Sequence, residues 1–388
     1  MEFITAMGAT ATSLVGYVVP FLFVLTIVVF IHELGHFLVG RWCGVGVQAF
    51  SIGFGKELIG WTDKHGTRWK LSAIPLGGYV KFAGDANAAS VPDREALDSL
   101  TPEERRVSFF HKSVGRRAAI VAAGPIANFL LAIAIFGGAA YFNGRQVLVP
   151  KVAAVQENSA AQRAGFQAGD VVLAIDGQPI TSFGDMQRIV SGRAEEQLTF
   201  LVDRAGRETR LTATPDLREI TTPFGKQRLG MLGLQAASND PANWHVQRFG
   251  AIEAVGVGLS ETWFIVARTY DYVGKLVTGR ESADQLSGPI RIAEVSGKVA
   301  SMGGIFSLIN LAAILSVSIG LINLVPIPLL DGGHLLFYAI EALRGRPLSE
   351  AAQEIGFRIG LAIVVMLMLF VTWNDLTHLG LALGQRGT

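Results

Sequence analysis

Charge is scarce in this sequence. Only 17% of its 388 residues are Asp, Glu, Lys or Arg, against about 25% in an ordinary soluble protein, and no charged side chain occurs from Phe3 to Ile31. That deficit points to a membrane. Cysteine is nearly absent: Cys43 stands alone, which excludes an internal disulfide framework and leaves either side of a membrane open. The net charge of +1 lacks the basic excess of a nucleic-acid binder, so no nucleic-acid partner is expected. Basic residues are also missing from Met1 to Ala11, where a cleavable signal peptide would carry them. The first apolar segment is therefore expected to remain as a span.

What the sequence has in quantity is apolar runs. A transmembrane helix needs about 20 mostly apolar residues, and residues 13–39, 118–143 and 303–330 supply them. A fourth span is expected at 356–376, where Arg358 can snorkel. The expected fold class is thus a polytopic α-helical membrane protein with about four transmembrane helices. Residues 252–267, interrupted by Glu253 and Glu261, read as an amphipathic helix within a linker at 236–302. Arg41, Arg105, Arg106, Arg116 and Arg117 fall in the loop 40–117, and Arg344 and Arg346 lie between the last two spans. The positive-inside rule puts both loops in the cytoplasm and the region from 144 to about 250 on the other side. Within 40–117, the alternation of Phe50, Ile52 and Phe54, the turn residues Asp63-Lys64-His65-Gly66, and then Trp69, Leu71 and Tyr79 predict a β-hairpin region. It either dips into the bilayer against protein or lies on the surface.

The first span carries "FIHELGH", residues 30–36. Residues four apart share a helix face, so His32 and His36 can ligate one metal ion while Glu33 reaches water as a general base. Catalytic zinc usually takes three protein ligands, so a third must come from elsewhere. "NLVPIPLLDGGH", residues 323–334, is the best source. Pro326 and Pro328 prevent regular helix there, and an acidic residue at membrane depth is costly unless paired. Asp331 and His334 are both candidates: an imidazole is a common zinc ligand, whereas a carboxylate offsets part of the metal's charge. His65, His111 and His245 lie in a turn or in polar segments and are expected to take no part.

Between the second and third spans, "ENSAAQRAGFQAGDVVLAIDGQPI" (157–180) resembles a PDZ domain of the bacterial protease-associated type, covering 145–235, with Gly165, Gly169-Asp170 and Asp176-Gly177 at that family's spacing. "RLGMLGLQ" (228–235) would then border the groove, which either binds an extended peptide or gates access sterically. His-Glu-x-x-His, "GPIANF" (124–129), the PDZ-like region, "SGPIRIA" (287–293) and Asn323-x-x-Pro326-x-Pro328-x-x-Asp331-Gly332 together resemble the site-2 protease family of intramembrane metalloproteases, in its bacterial RseP branch.

That resemblance implies a Zn2+ enzyme of the bacterial inner membrane, with its active site near the cytoplasmic face and its PDZ domain periplasmic. The implied substrate is a single-span membrane protein, such as an anti-sigma factor or a signal-peptide remnant, cut within the bilayer after an upstream site-1-type protease has acted. It assigns Glu33 as base, His32, His36 and Asp331 as zinc ligands, Asn323 with Pro326 and Pro328 to the unwound substrate, and Gly53, Phe54 and Gly55 to strand pairing with it. The residues alone leave open a helix–helix hydrogen bond for Asn323 and a plain turn for Gly53 and Gly55. Many RseP-type proteins carry two PDZ domains, and this chain has room for one. Two other readings are a membrane-anchored zincin and a non-catalytic PDZ scaffold. The apolar neighbours of "HELGH" argue against the first, and the presence of Glu33 and Asp331 against the second.

Overall fold

A computed structural model describes residues 2–85, 100–222, 225–281, 283 and 286–384. The chain divides into two compact units: residues 1–137, 255–274 and 286–388 form one, and 138–254 with 275–285 form the other.

The first unit opens with helix α1 (Glu2–Trp42), which runs into strands β1 (Val47–Thr62) and β2 (Arg68–Phe82), then a short helix α2 (Pro102–Val107) and the long α3 (Val114–Asn143). Among the described residues four helices are long and apolar enough to cross a membrane, over Val15–Trp42, Val114–Asn143, Pro289–Leu324 and Glu350–Thr377. They meet through small residues. A β-carbon on Gly35 would overlap the carbonyl of Ala123, so the glycine inside "HELGH" lets α1 and α3 touch backbone to backbone. Between apolar helices in lipid, burial itself supplies little driving force and close packing of this kind carries the association.

An isolated two-stranded hairpin is marginal in water, and β1–β2 is steadied by one face of α1. Phe50, 1% exposed, meets Phe30 edge-on at 5.7 Å and Phe37 at 5.6 Å, and stacks on Trp69 at 4.4 Å. Full burial of such a side chain is worth about 1.5–3 kcal/mol. The turn is fixed by Asp63, whose carboxylate accepts from the N–H groups of His65 and Thr67 and from Arg41 at 3.0 Å. Gly53 and Gly55 are not in a turn, contrary to one sequence reading. They lie inside β1 with φ of 88° and 83°, at an irregularity in the pairing with β2. Only glycine adopts that conformation freely. Beyond this bend Leu58, Ile59, Trp61, Leu71, Ile74 and Leu76 are exposed.

The second unit holds β3 (Arg145–Leu148), β4 (Val152–Val155), helix α4 (Ala160–Arg163), β5 (Val171–Ile175), β6 (Gln178–Pro179), helix α5 (Phe183–Gly192), β7 (Leu198–Arg204), β8 (Arg207–Ala213), β9 (Asp216–Thr222), β10 (Gly225–Met231), β11 (Leu234–Ala236) and β12 (Trp244–Gln247). Its main sheet has the order β6-β5-β7-β8, and β11 pairs with β4, β9 with β10, and β12 with β3. Ser159 and Ser182 cap α4 and α5 by accepting from backbone N–H groups. Val172, Ile175, Leu198, Phe200 and Val202 are fully buried in its core. An apolar groove of about 130 Å³ runs between α5 (Phe183, Met186, Val190) and Leu229, Leu232 and Leu234. The unit is wider than the expected 145–235, because β12 returns to pair with β3, matching Trp244 with Leu148.

The chain then forms α6 (Ala251–Val277), α7 (Pro289–Leu324), α8 (Asp331–Arg344) and α9 (Glu350–Gly384). Three helix bounds differ from those expected. The amphipathic helix extends well past residue 267. The third helix starts at Pro289 rather than 303 and ends at Leu324 rather than 330, with a non-helical Gly304 (φ 61°, ψ −152°) between its two parts. The fourth starts at Glu350. Charge hid the early start of α7: Lys298 pairs with Glu294 one turn away at 2.6 Å, and the buried Asp375 of α9 accepts the N–H groups of Gly288 at 2.9 Å and Arg291 at 3.1 Å. A carboxylate from another helix thus caps a terminus whose own N-cap residue, glycine, has no side chain to do so.

Candidate metal centre

His32, Glu33 and His36 lie on α1 and are at most 9% exposed. The third group arrives because α7 stops. Pro326 and Pro328 cannot continue a helix, residues 325–330 turn back, and Leu329 takes φ of 90°, a strained conformation for a leucine that costs about 1–3 kcal/mol. Asp331 is then the first residue of α8. The two glycines after it are needed for contact: a β-carbon on Gly332 would overlap the carbonyls of Leu324 and Val325, and one on Gly333 that of Ile327.

The result is one cluster. His32 Nε2 lies 3.1 Å from Asp331 Oδ2 and 3.2 Å from His36 Nε2, and His36 Nε2 lies 3.5 Å from Asp331 Oδ1. One ligand atom from each of the three residues lies within 4.8 Å of the other two. Ligands held about 2.0–2.1 Å from a tetrahedral ion are about 3.3 Å apart, so the spacing fits zinc. The donor chemistry fits as well. The Nδ1–H of His36 donates to the carbonyl of Ile120 at 2.9 Å, which leaves the Nε2 lone pair aimed at the other ligands. Asp331 Oδ2 is buried with no hydrogen-bond partner. Lone pairs converging in a dry site repel unless a cation lies among them, and two carboxylates, Asp331 and Glu33, match a charge of +2.

Of the other sequence candidates, His334 lies outside this cluster and packs its ring 5.6 Å from Phe357 and 6.5 Å from Tyr338. Asn323 is at the end of α7, half-buried, and among the described residues its side chain makes no hydrogen bond, contrary to the helix–helix bond that one reading gave it. Pro326 is exposed and Pro328 half-buried. Gly53, Phe54 and Gly55 lie at the bend of β1, not among the ligands, and the hairpin reaches the site at another residue: a β-carbon on Gly78 of β2 would be 2.9 Å from Glu33 Cγ.

Sequence reasoning missed the contribution of α3. Ile120, Gly124 and Asn128 are four residues apart and share one face. Ile120 holds His36, a β-carbon on Gly124 would overlap His36 Nε2, and the Asn128 amide lies 3.2 Å from His32 Nδ1. The Gly-x-x-x-Asn spacing in "GPIANF" was the available signal. A further link joins α3 to α8: Arg117 donates to Glu341 and lies over the Tyr338 ring, its guanidinium carbon 4.9 Å from the centroid.

Comparison with known proteins gives the family. The profile of Peptidase family M50 matches residues 20–367. A provisionally named zinc metalloprotease of Rhizobium meliloti is 53% identical over 365 residues, 94% of this chain and 97% of its own length. Metalloprotease MmpA of Caulobacter vibrioides is 44% identical over 382 residues, 93% of this chain and 95% of its own. Among solved structures, the PDZ domain of an SdrC-like protein from Listeria monocytogenes covers 23% of this chain and 87% of its own, at 14% identity and a TM-score of 0.19, a likeness too slight to argue from.

Proposed function

This chain belongs to Peptidase family M50 and is a zinc metalloprotease of the membrane, and from that premise we propose that it hydrolyses a peptide bond inside the transmembrane segment of a single-span membrane protein. The observation that carries the reading is where the ligands sit. His32 and His36 belong to a span with a mean hydropathy of 2.4, and Asp331 reaches them from a Pro-broken stretch at the end of another.

His32, His36 and Asp331 would hold a zinc ion, which when bound would supply a Lewis acid for water and for the scissile carbonyl. Glu33, beside these residues on α1, acts as the general base that takes the proton of the attacking water and returns it to the leaving amine. A substrate helix must first unwind, because its carbonyls are already hydrogen-bonded. The unwound strand adds to the hairpin beside Gly53-Phe54-Gly55 and Gly78, which the contact between Gly78 and Glu33 supports, and Asn323, with its amide uncommitted, holds the strand's polar groups beside Pro326 and Pro328. The strand-and-helix unit is a PDZ domain whose apolar groove takes an extended segment. On this reading the protein makes a second cut in the bacterial inner membrane, after an upstream protease has trimmed an anti-sigma-factor-like protein or signal peptide, with the zinc near the cytoplasmic face and the PDZ domain opposite.

The test is Glu33→Gln co-expressed with single-span membrane proteins. The variant is expected to keep its zinc and accumulate an uncut, pre-trimmed fragment. Cleavage at the wild-type rate would remove Glu33 from the chemistry.

A further inference from the structure

The Asn128 amide is fully buried, its Nδ2 faces His32 Nδ1 at 3.2 Å, and its Oδ1 has no hydrogen-bond partner. Two facts decide which end of the amide meets the ring. His32 Nε2 points at Asp331 and at His36 Nε2, so as a zinc ligand it must present a lone pair there, and the ring hydrogen must then be on Nδ1. A hydrogen on Nδ1 needs an acceptor, and an amide nitrogen is none. Exchanging the oxygen and nitrogen of the amide, whose positions are interchangeable by a half-turn of the side chain, supplies it. The exchange leaves one end of the amide unpartnered either way, so the ring tautomer makes the choice.

We propose that Asn128 is a positioning residue for the metal: its side-chain oxygen accepts the Nδ1–H of His32 and thereby fixes the tautomer and plane of that ring. This rests on the zinc site and is independent of what the protein cleaves. The same helix treats the second imidazole alike, through the Ile120 carbonyl on His36 Nδ1–H. Both rings are therefore oriented from α3, with Gly124 between the two contacts keeping the face open. Asn128 is itself tied to α7, because its backbone carbonyl accepts from Ser316 Oγ at 2.9 Å. Removing an outer partner of a zinc-bound histidine typically lowers metal affinity 10- to 100-fold.

The experiment is zinc competition against a chromophoric chelator with the purified full-length chain in detergent, for wild type, Asn128→Leu and Asn128→Asp. Asp keeps an acceptor at the same reach and cannot donate when ionised. Asn128→Leu is expected to lose about 10- to 100-fold in zinc affinity, while Asn128→Asp stays near wild type and its Co2+-substituted visible spectrum matches the wild-type one. If Asn128→Leu unfolds, Asn128→Ser, which draws the acceptor out of reach, takes its place under the same criterion. Wild-type zinc affinity in a folded Leu or Ser variant overturns the proposal. So does an Asn128→Asp protein that is folded but loses zinc as far as Leu does, since the amide would then be donating or only filling space.

Discussion

Arg117 on α3 donates to Glu341 on α8 at 2.6 Å, with both side chains largely buried. The α8 helix begins with Asp331, so the ion pair fastens Asp331 to the helix whose Ile120 and Asn128 contact His36 and His32. Breaking a buried pair by removing one partner costs about 3–5 kcal/mol, because the remaining charge is stranded. Glu341→Ala is expected to lower the unfolding temperature and release zinc more readily to a chelator, with Glu341→Gln milder. Unchanged zinc retention in both would show that α8 is held without the pair.

A β-carbon at Gly124 would overlap His36 Nε2, whereas one at Gly138, on the same helix, meets nothing within 4 Å. Gly→Ala inside a helix ordinarily stabilises by about 1 kcal/mol. Gly138→Ala is expected to bind zinc like wild type, and Gly124→Ala to lose it while keeping its helical circular dichroism. Metal analysis of the two proteins checks this.

How much of this was legible in the sequence depended on whether a feature is local. The pairing of His32 with His36 follows from helix periodicity, and the proline break before Asp331 from the geometry of proline. The choice of Asp331 over His334 rested on its place after the proline break, on charge and on resemblance, because both lie within one turn and only the packed fold turns one toward α1 and the other toward Phe357. Spacing puts Gly124 and Asn128 on one face, but their roles were hidden because a span otherwise apolar all round does not say which neighbour that face meets. For Gly53 and Gly55 a plain turn stayed open beside strand pairing because glycine at positive φ serves turns and bulges alike. The start of α7 was missed because its cap, Asp375, lies far away in the chain.

In the second unit, Arg204 donates twice to Asp170, at 2.8 Å each, and the Gln167 N–H donates to it at 2.9 Å. Burial pushes the Asp170 carboxyl up, and these hydrogen bonds outweigh it, holding it below the usual carboxylate range. A depressed folded pKa means the contribution is fully present above the unfolded value of about 3.9 and is lost as pH falls through the folded one. Thermal unfolding of this unit is therefore expected to drop below about pH 4 in wild type. Asn at position 170 should lower stability at neutral pH and flatten that acid dependence. An equal acid dependence in Asp170→Asn would place its origin elsewhere.

The bond this protease is proposed to cut lies within a membrane-spanning segment. The direct measurement is reconstitution of the purified, zinc-loaded chain into liposomes with a single-span substrate lacking its outer domain, followed by mass spectrometry of the fragments. A cut inside the apolar segment is expected, absent with Glu33→Gln and with a zinc chelator. A cut confined to the polar flanks of the segment, with the apolar stretch intact, would contradict it.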